Sequence, residues 1–142
     1  MTEVAVGVIT NNGRVLACQR KRTVRYPLKW EFPGGKLEPG ETPRQALIRE
    51  LREELMIDAE PDGELLTNEW IYRESAATPE KDAAYRVTYF IVPSYRGELV
   101  NQTFESIRWV TPAELERMDI LAGIGDAISL LLRRQRSDGS PL

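Results

Sequence analysis

Histidine is absent from the 142 residues, and cysteine occurs once. The first absence removes Ser-His-Asp and Cys-His catalysis and every His-ligated metal site. The second removes an internal disulfide and a Cys-rich zinc site. Cys18 lies in an apolar run and reads as a buried structural thiol. No apolar stretch approaches the length of a membrane span, and Val4–Ile9 is too short for a signal h-region. The default compartment is therefore the cytoplasm. The net charge is −3, which argues against a dedicated surface for nucleic acid or an acidic membrane. A small polyanion is still a feasible ligand, because a metal can supply local positive charge. Polar chemistry here must use carboxylates, Lys, Arg, Tyr or Ser. Any metal must be held by oxygen, which favours Mg²⁺ with Mn²⁺ as a substitute.

What is present suits one compact domain over residues 1–136, with 137–142 as a frayed tail. Val4–Thr10 reads as a buried strand. Asn11-Asn12-Gly13 is a hairpin turn, since Asn and Gly tolerate positive φ. Arg14–Arg20 returns as a second strand, and Thr23–Pro39 is loop-rich. Glu64–Glu74 and Tyr85–Pro93 read as paired strands, separated by a polar segment, Ser75–Ala84. Ser106–Val110 is a short strand. Thr111-Pro112-Ala113-Glu114 is a capping box that opens a short helix. Gly125–Arg136 is a final helix with an Ile/Leu face. Helices scattered among strands argue for α/β: one mixed sheet between helices.

The most informative segment runs from Gly34 to Ile57. Thr42 and Gln45 form a second capping box with Pro43 at the first helical position, so the helix spans Pro43–Leu55. At about 100° per residue, Glu50, Glu53 and Glu54 share an arc of roughly 100°, with Ala46 on the same face. Ala46 is expected to keep that face low, open to a loop or a phosphate. Leu47, Ile48, Leu51 and Leu55 fall on the neighbouring face. Like charges so spaced repel by a few tenths of a kcal/mol per pair, and a divalent cation reverses the sign. A solvated acidic face with surface ion pairs to Arg49 and Arg52 is the plainer reading of the helix alone. Gly34-Gly35 argues against it, because two glycines allow close ligand approach at a fixed spacing from the carboxylates.

The same segment resembles the Nudix box. Gly35, Glu41, Arg49, Glu50, Leu51, Glu53, Glu54 and Ile57 match its specified positions, and Met56 stands where the box has glycine. Trp30-Glu31-Phe32-Pro33 and the stretch from Trp109 to Leu115 are also similar to family members. The resemblance implies a Nudix-type α/β/α sandwich with a mixed β-sheet, and metal-assisted attack of water on phosphorus. It implies Glu50 and Glu54 as main metal ligands, with Glu53 and the Gly34 carbonyl helping. Arg49, with Glu41, would orient the carboxylates. With no histidine, a glutamate is the candidate general base: Glu53 or Glu54 in the box, or Glu105, which the MutT-like branch suggests. Met56 is expected to be a strained left-handed C-cap.

The flanks are most similar to MutT-like and CTP-pyrophosphohydrolase-like sequences. The implied reaction converts a (deoxy)nucleoside triphosphate to its monophosphate and pyrophosphate, with nucleotide-pool sanitation as a role. Two alternatives stay open: hydrolysis of another nucleoside diphosphate derivative, such as ADP-ribose or a dinucleotide, and a non-catalytic binding module. Arg20, Lys36 and Gly123 are the candidate substrate contacts. Gly123 falls where oxidised-guanine enzymes carry Asn or Asp, with Asp126 as a substitute if the register shifts. The reading includes a small-molecule nucleotide partner, no nucleic acid and no membrane, and it allows a homodimer.

Overall fold

The computed structural model describes residues 1–73, 77 and 83–138. Strand β1 (Thr2–Asn11) turns through Asn12 and Gly13 into β2 (Arg14–Gln19). Both turn residues have positive φ, 51° and 80°, so the expected hairpin forms. The stretch expected to be loop-rich contains two short strands, β3 (Trp30–Glu31) and β4 (Gly34–Lys36). Their lengths are too small for an alternating pattern to show. Helix α1 (Pro43–Leu55) follows, then β5 (Asp58–Glu60), β6 (Glu64–Tyr72), β7 (Ala83–Val92), β8 (Ser94–Arg96) and β9 (Ser106–Val110). The chain ends in α2 (Pro112–Glu116), a 3-10 turn (Ala122–Ile124) and α3 (Gly125–Asp138). Helix α3 runs two residues into the segment expected to fray. Of the polar segment expected over 75–84, Ala83 and Ala84 open β7; apart from Ala77, the rest lies outside the described residues.

Seven of these strands make one mixed sheet. Strand β1 runs parallel to β7, while β6 pairs antiparallel with β7. The other edge of β1 is shared: β4 pairs with Val4–Val6, and β2 with Thr10–Asn11. Strand β2 then carries β9 and β3. Strands β5 and β8 form a separate ladder. The two faces of the sheet bury different helices. Ala5, Ile9, Leu16, Phe90 and Val92 pack on Leu47, Leu51 and Leu55 of α1. Val6, Val8, Val15, Ala17 and Tyr89 pack on Leu115 of α2 and on Ala127, Ile128 and Leu131 of α3. The period-2 alternation of β1 and β2 thus becomes the α/β/α sandwich. Gly7 faces α1, where a Cβ would press within 3.3 Å of Leu47, Leu51 and Val92, so its glycine brings the helix close to the sheet. Cys18 is fully buried on the α1 side, and burial pushes its thiol pKa up, as expected of a structural cysteine. Among the described residues no helix is long and apolar enough to cross a membrane.

Helix α1 ends as its sequence suggests. Met56 is left-handed, at φ 58° and ψ 30°, and its N–H donates to the Arg52 carbonyl. Its side chain is exposed, at 53%. The left-handed backbone costs a residue with a Cβ about 1–2 kcal/mol, and little burial offsets it. We expect Met56→Gly to raise the melting temperature by about 1–3 °C, since unfolded-state entropy cancels part of the relief. Differential scanning calorimetry checks this, and a clear drop would mean that Met56 contributes packing that its exposure does not suggest.

Candidate active site

The site forms where β4 passes α1. Gly34 has φ +155°, and a Cβ there would collide with the Ala5 carbonyl of β1; a Cβ on Gly35 would collide with the Glu50 carboxylate. Gly34 therefore lets the strand pair closely with β1, and Gly35 lets it lie directly against the acidic side of the helix. The Gly34 N–H donates to Glu54 Oε1 at 3.0 Å. The family resemblance implied the Gly34 carbonyl; the contact seen here is made by its amide.

Arg49 is the hub. Its Nε and Nη2 fork onto the two oxygens of Glu41, both at 2.8 Å. Nη1 donates to Glu50 Oε1 at 3.0 Å and reaches Glu53 at 3.4 Å. Nη2 also donates to the Lys36 carbonyl at 3.1 Å, tying the helix to β4. The guanidinium holds the Glu41 carboxyl at a pKa of about 2, and Glu41 and Glu50 in turn raise that of Arg49. Glu54 is the opposite case. It is half-buried, it faces Glu50, Glu31 and Glu53, and its pKa is pushed up to about 8, first by burial and then by those charges. The Gly34 amide offsets only part of this.

Ala46 does not keep an open face over these groups. It is fully buried and packs with Leu47 and Leu51, so the acidic side of α1 begins at its margin. Ile48, expected on the core face, is half-buried. Among the described residues no three Asp, Glu, His or Cys side chains converge into a ready-made metal cage. The donor set nevertheless fits a hard cation. It is all oxygen, and Glu54 is a half-buried carboxylate beside a second one, Glu50, with no salt-bridge partner among the described residues. Mg²⁺ commonly takes only one or two carboxylates and completes its octahedron with water and substrate phosphates.

Glu54, Gly34, Gly35 and Lys36 line a cleft of about 440 Å³. Glu31, Arg20, Lys21 and Arg25 line its flank, and Tyr26, Phe32, Tyr72, Tyr85 and Tyr89 its aromatic wall. The cleft thus joins a carboxylate cluster to a surface suited to a flat ring.

The sequence matches the NUDIX domain family over residues 1–131. The chain belongs to the Nudix family. The CTP pyrophosphohydrolase of Escherichia coli K12 is 34% identical over 117 residues, covering 80% of this chain and 78% of that protein. The 8-oxo-dGTP diphosphatase of Proteus vulgaris is 35% identical over 100 residues, covering 70% and 82%. The solution structure of the Escherichia coli ORF135 protein superposes with a TM-score of 0.75 at 31% identity, covering 96% of this chain and 91% of that one. This Nudix hydrolase is MutT-like, and its fold is the one the box implied.

The expected substrate contacts and Glu105 are distributed unevenly. Arg20 lines the cleft, but its Nη1 is 3.1 Å from Glu31 and its Nε donates to the Arg25 carbonyl, so much of its fork is already engaged. Lys36 lines the cleft beside Gly35. Glu105 is exposed, lies 3.7 Å from Arg22, and is not among the cleft-lining residues. Gly123 is buried, and its backbone is taken by two tyrosines: its N–H donates to the Tyr72 hydroxyl at 3.0 Å, and its carbonyl accepts from Tyr89 at 3.3 Å. Asp126 accepts from Asn68 at 3.1 Å. The sequence reading passed over Glu31, Lys21 and the tyrosines. Glu31 is a largely buried carboxylate whose pKa is raised by burial and partly restored by Arg20. A glutamate between Trp30 and Phe32, two aromatics of the core, was the available signal for it.

Proposed function

We propose that this Nudix hydrolase is a Mg²⁺-dependent pyrophosphohydrolase that converts a (deoxy)nucleoside triphosphate to its monophosphate and pyrophosphate. The observation that carries the reading is one cleft lined both by Glu54, with the Glu50 charge close beside it, and by the tyrosines. The substrates named for the two bacterial relatives, CTP and 8-oxo-dGTP, support a nucleoside triphosphate. Glu50 and Glu54 would hold the metal, with Glu53 and the Gly34 backbone beside them. Bound Mg²⁺ neutralises phosphate charge and acidifies water. Arg49 orients Glu50 and Glu53 and is itself fixed by Glu41. We assign the water's proton to Glu53. Its exposed carboxylate meets Arg49 at 3.4 Å and its charge acts on Glu54, which places it beside the carboxylate pair, while Glu105 pairs with Arg22 instead. Lys21, Lys36 and the remaining donors of Arg20 meet the phosphates. Localisation in the cytoplasm and action on pool nucleotides belong to the same proposal.

Turnover of a nucleotide panel with Mg²⁺ in ¹⁸O-water, with products separated by chromatography and weighed, tests the reaction. The expected products are monophosphate and pyrophosphate, one of them labelled, which also identifies the attacked phosphorus. Orthophosphate with a nucleoside diphosphate would refute the assignment, as would turnover confined to ADP-ribose or dinucleotides.

A further inference from the structure

The strongest unexplained feature of the cleft is a single hydroxyl. Tyr72 ends β6, and its ring is held on three sides. Tyr26 packs on it at 5.3 Å between ring centroids, Tyr85 at 5.9 Å and Trp70 at 6.3 Å. Its hydroxyl accepts from the buried Gly123 N–H. A Cβ on residue 123 would run into that same hydroxyl, so Tyr72 fills the space that a side chain at this position would take. The surrounding chain fixes the arrangement. Leu121 N–H donates to the Trp30 carbonyl at 2.8 Å, and Tyr89 closes the Gly123 carbonyl. Tyr72 nevertheless lines the cleft, and no described acceptor receives its O–H. Burial raises its pKa to about 12, so the proton stays on at every physiological pH.

A phenol that already accepts from a buried amide has mainly a donor left to offer. We propose that Tyr72 is the residue that reads the edge of the substrate's base, donating its O–H to a carbonyl oxygen or an unprotonated ring nitrogen. This rests on the nucleotide reading of the cleft and names a specificity contact within it. The position of the Tyr72 hydroxyl depends on glycine at 123, where any Cβ would meet it.

The test uses the whole chain with Mg²⁺ and calorimetric binding of α,β-imido analogues of CTP, UTP, GTP and ATP, with inorganic tripolyphosphate as the ligand that has no base. Tyr72→Phe keeps the ring and removes only the hydroxyl. It should weaken the preferred nucleotide analogue about 5- to 20-fold, the range for one neutral hydrogen bond plus some desolvation, while tripolyphosphate binds unchanged. Gly123→Ala keeps the phenol but displaces its hydroxyl, and should reproduce the same pattern. Equal losses for nucleotide and tripolyphosphate, or no loss for either, would overturn the proposal. So would wild-type protein that binds tripolyphosphate as tightly as every nucleotide. If the parent triphosphates are not hydrolysed yet the analogues show the expected pattern, the proposed reaction fails and the base contact stands.

Discussion

Glu54→Gln should lower kcat at least about 100-fold, the scale of loss when electrostatic stabilisation of the transition state is removed. The substitution is clean in this fold. The amide oxygen can still accept from the Gly34 N–H, and only the charge disappears. The same change should leave the metal-free protein as stable or more stable, because Glu54 is half-buried and faces Glu50, Glu31 and Glu53. Its folded pKa, about 8, lies above the unfolded value near 4.3. Between these values the folded state retains a proton that the unfolded chain releases, so metal-free stability falls as pH rises through this window. In EDTA, the melting temperature of Glu54→Gln minus that of wild type should therefore grow from pH 5 to pH 8. With Mg²⁺ the wild type should recover and the variant should not. Wild-type activity in EDTA equal to that in Mg²⁺ would end the metal reading. A variant that melts lower than wild type in EDTA at pH 8 would show that the charge is better compensated than its neighbours suggest.

The carboxylate side of the site was legible because a helix is a ruler. Once Thr42 and Pro43 set its start, the angular positions of Glu50, Glu53 and Glu54 followed from the residue spacing, and the structure has both the start and the cap at Met56. The ruler is coarser at the boundary of a face. Ala46 and Ile48 were each placed one sector too far round, since local spacing says nothing about how deeply the sheet embraces the helix. Strands β3 and β4 were missed because two or three residues carry no periodicity, yet they position Glu31 and Gly34. The aromatic wall was invisible for another reason. Tyr26, Tyr72, Tyr85 and Tyr89 come from a loop and two strands, and only the pairing of β6 with β7 brings the last three together. Gly123 was noticed as a departure at a reading position. What fills the space beside it lies 51 residues away, and no pattern local to position 123 reports it.

Arg49→Lys is the second large effect, and it separates charge from shape. Lysine keeps the positive charge but cannot fork onto Glu41 while also reaching Glu50 and the Lys36 carbonyl, since its ammonium is one compact donor centre. Without that brace, Glu50 and β4 lose their fixed spacing. Orienting partners of metal ligands typically contribute about 10- to 100-fold, so kcat/KM should fall by that factor, with a weaker apparent affinity for Mg²⁺. A pH signature distinguishes this from general damage. Glu41 is held at a pKa of about 2 chiefly by its hydrogen bonds to Arg49, below the unfolded value near 4.3. Its contribution to stability is thus fully present above about pH 4.3 and is lost as pH falls toward 2. The melting-temperature gap between wild type and Arg49→Lys should be wide at pH 7 and should narrow as pH falls toward and through 2, as Glu41 takes up its proton in the wild type too. Parallel melting curves across that range, with activity lost, would place the role of Arg49 in direct contact with substrate instead of in the Glu41–Arg49–Glu50 chain.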